Sequence, residues 1–146
     1  MINELAEIQV SYSTQNSNKF KITTAENAFE LFLNFWSMST LELQEEFKIM
    51  FLNRANESLG IYSLSKGGTT GTIVDVKLLF VVALKCNASA IIICHNHPSG
   101  NLKPSEADIS LTVKIKRCSE FLDIKLIDHL IITRNGYYSF SNDNML

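Results

Sequence analysis

The chain has 146 residues, 46% of them apolar and 19% charged, with a formal charge of −2. That fits one globular domain long enough to bury a real core. The slight acidity argues against a broad basic nucleic-acid groove. The apolar runs Leu78–Leu84 and Ala90–Cys94 are far too short to span a membrane. The start, Met1-Ile2-Asn3-Glu4, lacks the basic and then apolar regions of a signal peptide. A cytoplasmic location is the expectation. Cys86, Cys94 and Cys118 are odd in number and have no Cys-x-x-Cys pairing, which argues against a disulfide framework or a cysteine-only zinc site. Cys94 and Cys118 fall in apolar-patterned segments and read as small buried side chains.

Residues 1–22 are expected as an N-terminal extension, with one edge strand where Ile8-Gln9-Val10-Ser11-Tyr12 alternates and a loop over Ser13–Lys19. A domain over residues 23–146 follows. Thr23 and Glu26 form a capping-box pattern ahead of a helical stripe of Ala28, Phe29, Phe32, Leu33 and Trp36. Ser39 and Glu42 repeat the pattern and predict a short second helix toward Phe47. Phe47–Leu52 reads as a buried strand, Asn53–Asn56 as a turn, and Ser58–Ser65 as the returning strand. Gly67-Gly68 breaks that strand, and Thr72–Val74 is a short extended piece. Gly67-Gly68 has neither the spacing nor the Lys-Ser/Thr ending of a phosphate loop.

Asp75 predicts the N-cap of a helix carrying Leu78, Leu79, Val82, Ala83 and Cys86 on one stripe. Ala88–Cys94 is continuously apolar, as in a strand covered on both faces. It delivers His95 and His97 at its end, and Pro98–Asn101 turns the chain. Ser105 opens a helix whose Leu111, Ile115, Cys118 and Leu122 share a face. Ile124–Thr133 is a strand, Asn135-Gly136 a hairpin signal, and Tyr137–Phe140 the return. Helices among hairpins and crossovers predict an α/β fold with a mixed sheet.

Chemistry concentrates in His95-Asn96-His97 and Ser105-Glu106-Ala107-Asp108. Two histidines two apart in an extended chain project to one side. An aspartate from the next element can complete a three-ligand zinc site of His95, His97 and Asp108, leaving a fourth position for water. Ser105 and Asp108 also form a helix-capping pattern, and the two roles are compatible because a capped first turn is held rigidly. Asn96 faces away from its neighbours and is expected to brace a loop. His129, within an alternating strand, reads as a hydrogen-bonded sheet histidine, and Lys114, Lys116, Arg117 and Lys125 as a solvated face.

The spacing His95-x-His97, seven residues, then Ser105-x-x-Asp108 resembles the JAMM signature of the JAB/MPN metalloprotease superfamily. The fuller run His95–Gly100 with Pro104–Asp108, together with Leu126–Ile132 and Ala83–Ala90, resembles its RadC-like branch. The likeness covers about residue 25 to the C-terminus. It implies a three-layer α-β-α, cytidine-deaminase-like fold. It also implies one zinc per chain on His95, His97 and Asp108, and hydrolysis of peptide or isopeptide bonds. Ser105 would hydrogen-bond the water or the oxyanion.

Such hydrolases carry an upstream glutamate as general base. A register anchored on Phe51-Leu52 and Gly67-Gly68 puts it near Tyr62 or Ser63, and neither is a carboxylate. Glu57, the one glutamate between positions 47 and 105, lies roughly 16–20 Å from that place at about 3.3 Å per residue. The base is therefore unassigned with Glu57 as its candidate, and loss of a base costs about 10²–10⁴-fold. The alternative expectation is a zinc-holding scaffold without turnover. A nucleoside deaminase would need His-x-Glu and Pro-Cys-x-x-Cys, which this chain lacks. Longer RadC-like proteins carry a helix-hairpin-helix segment that residues 1–22 do not resemble, so the family's DNA-repair label is not carried over and direct nucleic-acid binding is not expected.

Overall fold

Three helices and five strands make up the computed structural model, which describes residues 4–14, 18–68 and 72–146. In chain order they are α1 (Ala25–Asn34), β1 (Glu46–Leu52), β2 (Ser58–Lys66), α2 (Val76–Lys85), β3 (Ala90–Asn96), α3 (Glu106–Phe121), β4 (Lys125–Thr133) and β5 (Gly136–Ser139). The sheet order is β2-β1-β3-β4-β5. β3 and β4 are parallel and joined through α3, and the other neighbours are antiparallel.

Side-chain alternation sorts the apolar residues onto two faces. Phe47, Ile49 and Phe51 of β1 and Ile91 and Ile93 of β3 pack against Leu79, Phe80 and Ala83 of α2 and Ile115 of α3. Met50, Leu52, Ile92 and Cys94 pack against Ala28 and Phe32 of α1 and Trp36 just beyond it. The sheet thus lies between α1 on one side and α2 with α3 on the other, the expected three layers. Every residue of β1 and β3 is buried, which is why their sequences are nearly unbroken apolar runs. One buried charge in β1 is satisfied: Lys48 Nζ lies 3.2 Å from Glu46, bonds Ser63 Oγ at 2.8 Å and sits over the Trp36 ring.

The helix starts follow the predicted chemistry, with one shift. Thr24 rather than Thr23 caps α1, accepting from Asn27 N, while Thr23 bonds the Asn27 side chain. Asp75 caps α2 by accepting from Leu78 N, and Ser105 caps α3 with a full capping box. Three expected elements do not form. Ile8–Tyr12 carries no strand, and its apolar side chains are exposed. Ser39–Leu43 makes turns instead of a second helix, and Thr72–Val74 is irregular. The Ser39 hydroxyl there lies 2.7 Å from Ser37 Oγ. Of the expected Ser13–Lys19 loop, residues 15–17 lie outside the described residues, as does the Met1–Asn3 start.

A bulge in β4 has consequences for the site. Ile91 of β3 pairs with Leu126, but Ile92 pairs with Asp128, so Ile127 is skipped. A slip of one residue flips every later side chain to the other face. Leu126 packs on the α2/α3 side, whereas Leu130 and Ile132 pack on the α1 side. His129 is thereby turned toward α3. Asp128 steadies the bulge: its Oδ1 accepts from His129 N at 2.7 Å and Ser141 N at 2.9 Å, and its Oδ2 from Ser139 Oγ at 2.5 Å. Burial raises the Asp128 carboxyl above its ordinary value, and these donors pull the other way.

Candidate metal centre

β3 delivers the first candidate ligand, His95, directly after its apolar stretch Ala90–Cys94. Alternation places His95 with Ile91 and Ile93, on the α2/α3 face, and the register sets it opposite Phe47 of β1. His97 follows the strand, with its backbone N–H still bonded to Ile132 O at 3.1 Å. The chain then turns through Gly100, whose φ of +82° suits a residue without a Cβ. Gly100 N closes the turn on His97 O at 3.0 Å. After Ser105, the third helical residue of α3 is Asp108. Ser105 Oγ accepts from Asp108 N at 3.1 Å, and Asp108 Oδ2 accepts from Ser105 N at 2.8 Å. The cap therefore orients the carboxylate and leaves the Ser105 hydroxyl proton uncommitted.

These elements converge on one point. His95 Nε2 lies 3.1 Å from His97 Nε2 and 3.2 Å from Asp108 Oδ1. His97 Nε2 lies 3.2 Å from Asp108 Oδ2. A fourth group faces them: Glu45 Oε1 is 3.8 Å from His95 Nε2 and 3.9 Å from His97 Nε2. One ligand atom from each of the four residues lies within 4.8 Å of the others. The His97 tautomer follows from its surroundings. Its Nδ1 sits 2.6 Å from Asn101 O, a carbonyl that can only accept, so Nδ1 carries the proton. In the neutral ring Nε2 is then a bare lone pair aimed at the cluster.

The donor set fits a divalent cation. Tetrahedral zinc binds nitrogen and oxygen at about 2.0–2.2 Å, which makes the edges between ligand atoms about 3.3 Å. The His95–His97 separation of 3.1 Å is close to this value, and Asp108 presents a different oxygen to each histidine at 3.2 Å. Without a cation, protons take its place. The Asp108 bond, and less so the Asn101 carbonyl, raise the His97 imidazole above its ordinary value against the opposing effect of burial. Burial pushes the Asp108 carboxyl up, but hydrogen bonds from His95 and His97 outweigh it and hold the group well below the usual carboxylate range.

The structure thus brings His95, His97 and Asp108 together with Ser105 beside them, and it leaves Glu57 out. Glu57 bonds Asn53 at 3.0 Å and bridges to Lys21 next to the Ser58 end of β2. Ser58 pairs with Leu52, at the opposite end of β1 from Phe47 and His95. Tyr62 and Ser63 lie mid-strand in β2, and Ser63 Oγ accepts from Lys48. The acid at the cluster is Glu45, one residue ahead of β1. The sequence register looked for an acid on the second strand of the hairpin, whereas the structure brings a carboxylate to the cluster from the entry to the first. A usable signal existed: Glu45 shares the alternation of Phe47, Ile49 and Phe51, the face that carries His95.

Asn96 explains how Glu45 is held. On the opposite face of β3 and fully buried, its Nδ2 donates to Leu41 O at 2.7 Å and Gln44 O at 2.9 Å. Its Oδ1 accepts from Glu46 N at 2.7 Å. The expected brace therefore clasps the chain on both sides of Glu45, the turns before it and the first residue of β1 after it. A cavity of about 220 Å³ opens beside the cluster, with Phe47, Val74 and Leu111 as apolar walls and Glu45, His95 and Asp108 as its polar side.

Comparison with known proteins agrees with this geometry. The RadC-like JAB domain family matches residues 22–145. A UPF0758 protein of Flavobacterium johnsoniae is 48% identical over 126 residues, covering 86% of this chain and 53% of that protein. One from Porphyromonas gingivalis is 42% identical over 104 residues, 70% of this chain and 46% of its own. One from Clostridium beijerinckii is 35% identical over 144 residues, 97% and 62% respectively. The chain spans about half the length of the curated relatives it matches. Among the described residues no helix is long and apolar enough to cross a membrane. With the family match covering most of its length and the cluster assembled from the residues that carry the likeness, this chain belongs to the RadC-like JAB domain family.

Proposed function

We propose that this domain is a zinc-dependent hydrolase of peptide or isopeptide bonds, of the JAMM type. The observation that carries the reading is the convergence of two imidazole nitrogens and the Asp108 carboxylate at 3.1–3.2 Å with the Glu45 carboxylate facing them. Imidazole and carboxylate donors suit zinc. When bound, zinc supplies Lewis acidity, which activates water near neutral pH and polarises a carbonyl. His95, His97 and Asp108 hold it. Glu45 Oε1 takes the proton of the attacking water and passes it to the leaving amine. The Ser105 hydroxyl, with its proton uncommitted, donates to the developing oxyanion, a contact worth about 3 kcal/mol by analogy with oxyanion holes. The apolar-walled cavity holds a substrate side chain away from water. The free thiols fit a reducing compartment such as the cytoplasm.

The scaffold alternative rested on a missing base, and Glu45 removes that reason. The test is Glu45→Gln beside His97→Ala. E45Q is expected to keep about one zinc per chain while hydrolysis of a fluorogenic peptide or lysine isopeptide falls about 10²–10⁴-fold. H97A is expected to lose the metal. A purified chain that takes up no zinc refutes the centre, and an E45Q variant with full activity refutes the base.

A further inference from the structure

His129 is fully buried, and the β4 bulge aims it at the back of His95. Phe140 stacks on its ring with centroids 4.6 Å apart, and Phe47 meets it edge-on at 5.9 Å. Nδ1 of His129 lies 2.6 Å from Thr112 Oγ1, and Nε2 lies 2.8 Å from His95 Nδ1. Reading the donors in order fixes every proton along this line. Thr112 Oγ1 is also 2.6 Å from Asp108 O. That carbonyl can only accept, so the one hydroxyl proton goes to it. Thr112 Oγ1 must then accept from His129, whose Nδ1 carries a proton. No carboxylate bonds the His129 ring, and burial between aromatic rings keeps it neutral. Its Nε2 is therefore bare and accepts from His95 Nδ1–H. In the neutral His95 ring the remaining nitrogen, Nε2, is then the lone pair that faces His97 and Asp108.

We infer that Thr112 and His129 form a relay that sets the tautomer of His95, keeping its Nε2 free to bind the cation. Both are positioning residues acting through His95, and the inference rests on the zinc reading for its purpose. The relay starts on the helix that supplies a ligand: Thr112 is four residues after Asp108, one turn along α3. One turn thus carries both the Asp108 carboxylate and the hydroxyl that orders the second histidine. Such outer partners of metal-binding histidines typically change affinity 10–100-fold when removed. The bulge also gains a reason, because without it His129 would face α1 and His95 Nδ1 would lack this acceptor.

The test is nitrogen-15 histidine NMR on the full chain without and with zinc, followed by competitive zinc titration, with thermal melts to confirm folding. In the unmodified chain His95 is expected to show a protonated Nδ1 with and without zinc, and an Nε2 that is bare of protons once zinc is bound. Thr112→Val removes the acceptor for His129 Nδ1–H and lets its tautomer invert. His95 should then shift toward the Nε2–H form and zinc binding weaken about tenfold or more, with Thr112→Ser restoring both. His129→Phe should weaken zinc about 10–100-fold, and His129→Gln, which keeps an acceptor oxygen, should stay close to the unmodified chain. Folded T112V and H129F variants with unchanged zinc affinity would overturn the relay, as would an unprotonated Nδ1 on His95 in the unmodified chain. The relay tautomers in a chain that takes up no zinc would support the relay and overturn the metal reading instead.

Discussion

Asp108 is at once the N3 partner of a capping box and the carboxylate that meets two imidazoles. Its behaviour with pH has a definite sign. The His97 imidazole is raised, chiefly by Asp108, so its contribution to the metal-free fold is complete below the unfolded value of about 6.5 and is lost as pH rises through the folded value. The Asp108 carboxyl is lowered on balance, so its contribution is present above about 3.9 and is lost as pH falls through the folded value. The pair therefore supports the metal-free protein best between about pH 4 and 6.5. A metal needs His97 deprotonated and takes over as pH rises. The gain in melting temperature on adding zinc is expected to grow between about pH 5.5 and pH 8, measured by differential scanning fluorimetry. A gain constant across that range would contradict this account.

Strand and helix ends carry the site, and they differ in how far the sequence exposed them. β3 was legible because a strand covered on both faces must be apolar throughout, so the first polar residues after it mark its end. The α3 start was legible because capping chemistry is local, set by Ser105 and Asp108 three residues apart. Glu45 was only partly legible: it shares the alternation of β1, but Ser39 and Glu42 matched a capping box while the chain makes turns there, clasped by a side chain distant in sequence. Asn96→Ala strips Leu41 O, Gln44 O and Glu46 N of their partner. Leaving buried groups unsatisfied costs about 1–3 kcal/mol, which urea unfolding would read. Hydrolysis should fall further than zinc content, because Asn96 holds Glu45 and not the ligands. Equal loss of both would show that the brace acts on the whole centre. The Ser105→Ala variant should lose about 1 kcal/mol as a capping residue, with turnover falling further than zinc content.

For the whole molecule, a cation at this centre would tie the end of β3 to the start of α3, two elements that the unfolded chain does not hold together. Zinc at 100 times its dissociation constant should stabilise the fold by about 2.7 kcal/mol, or roughly 6–10 °C in melting temperature for a chain of this size. Chelation should reverse the shift, and His95→Ala should abolish it. A melting temperature indifferent to zinc and chelator would count against the centre. By itself the sequence determined the mixed sheet with helices packed on it, the apolar central strand and the placement of His95, His97 and Asp108 at element ends, because periodicity, capping and strand ends are encoded within a few neighbouring residues. Only the tertiary structure decided that Glu45 is the acid at the cluster and that His129 stands behind His95. Both depend on strand register, on a single skipped residue in β4 and on a clasp from Asn96 to residues 41–46, and such long-range pairings leave no local pattern to read.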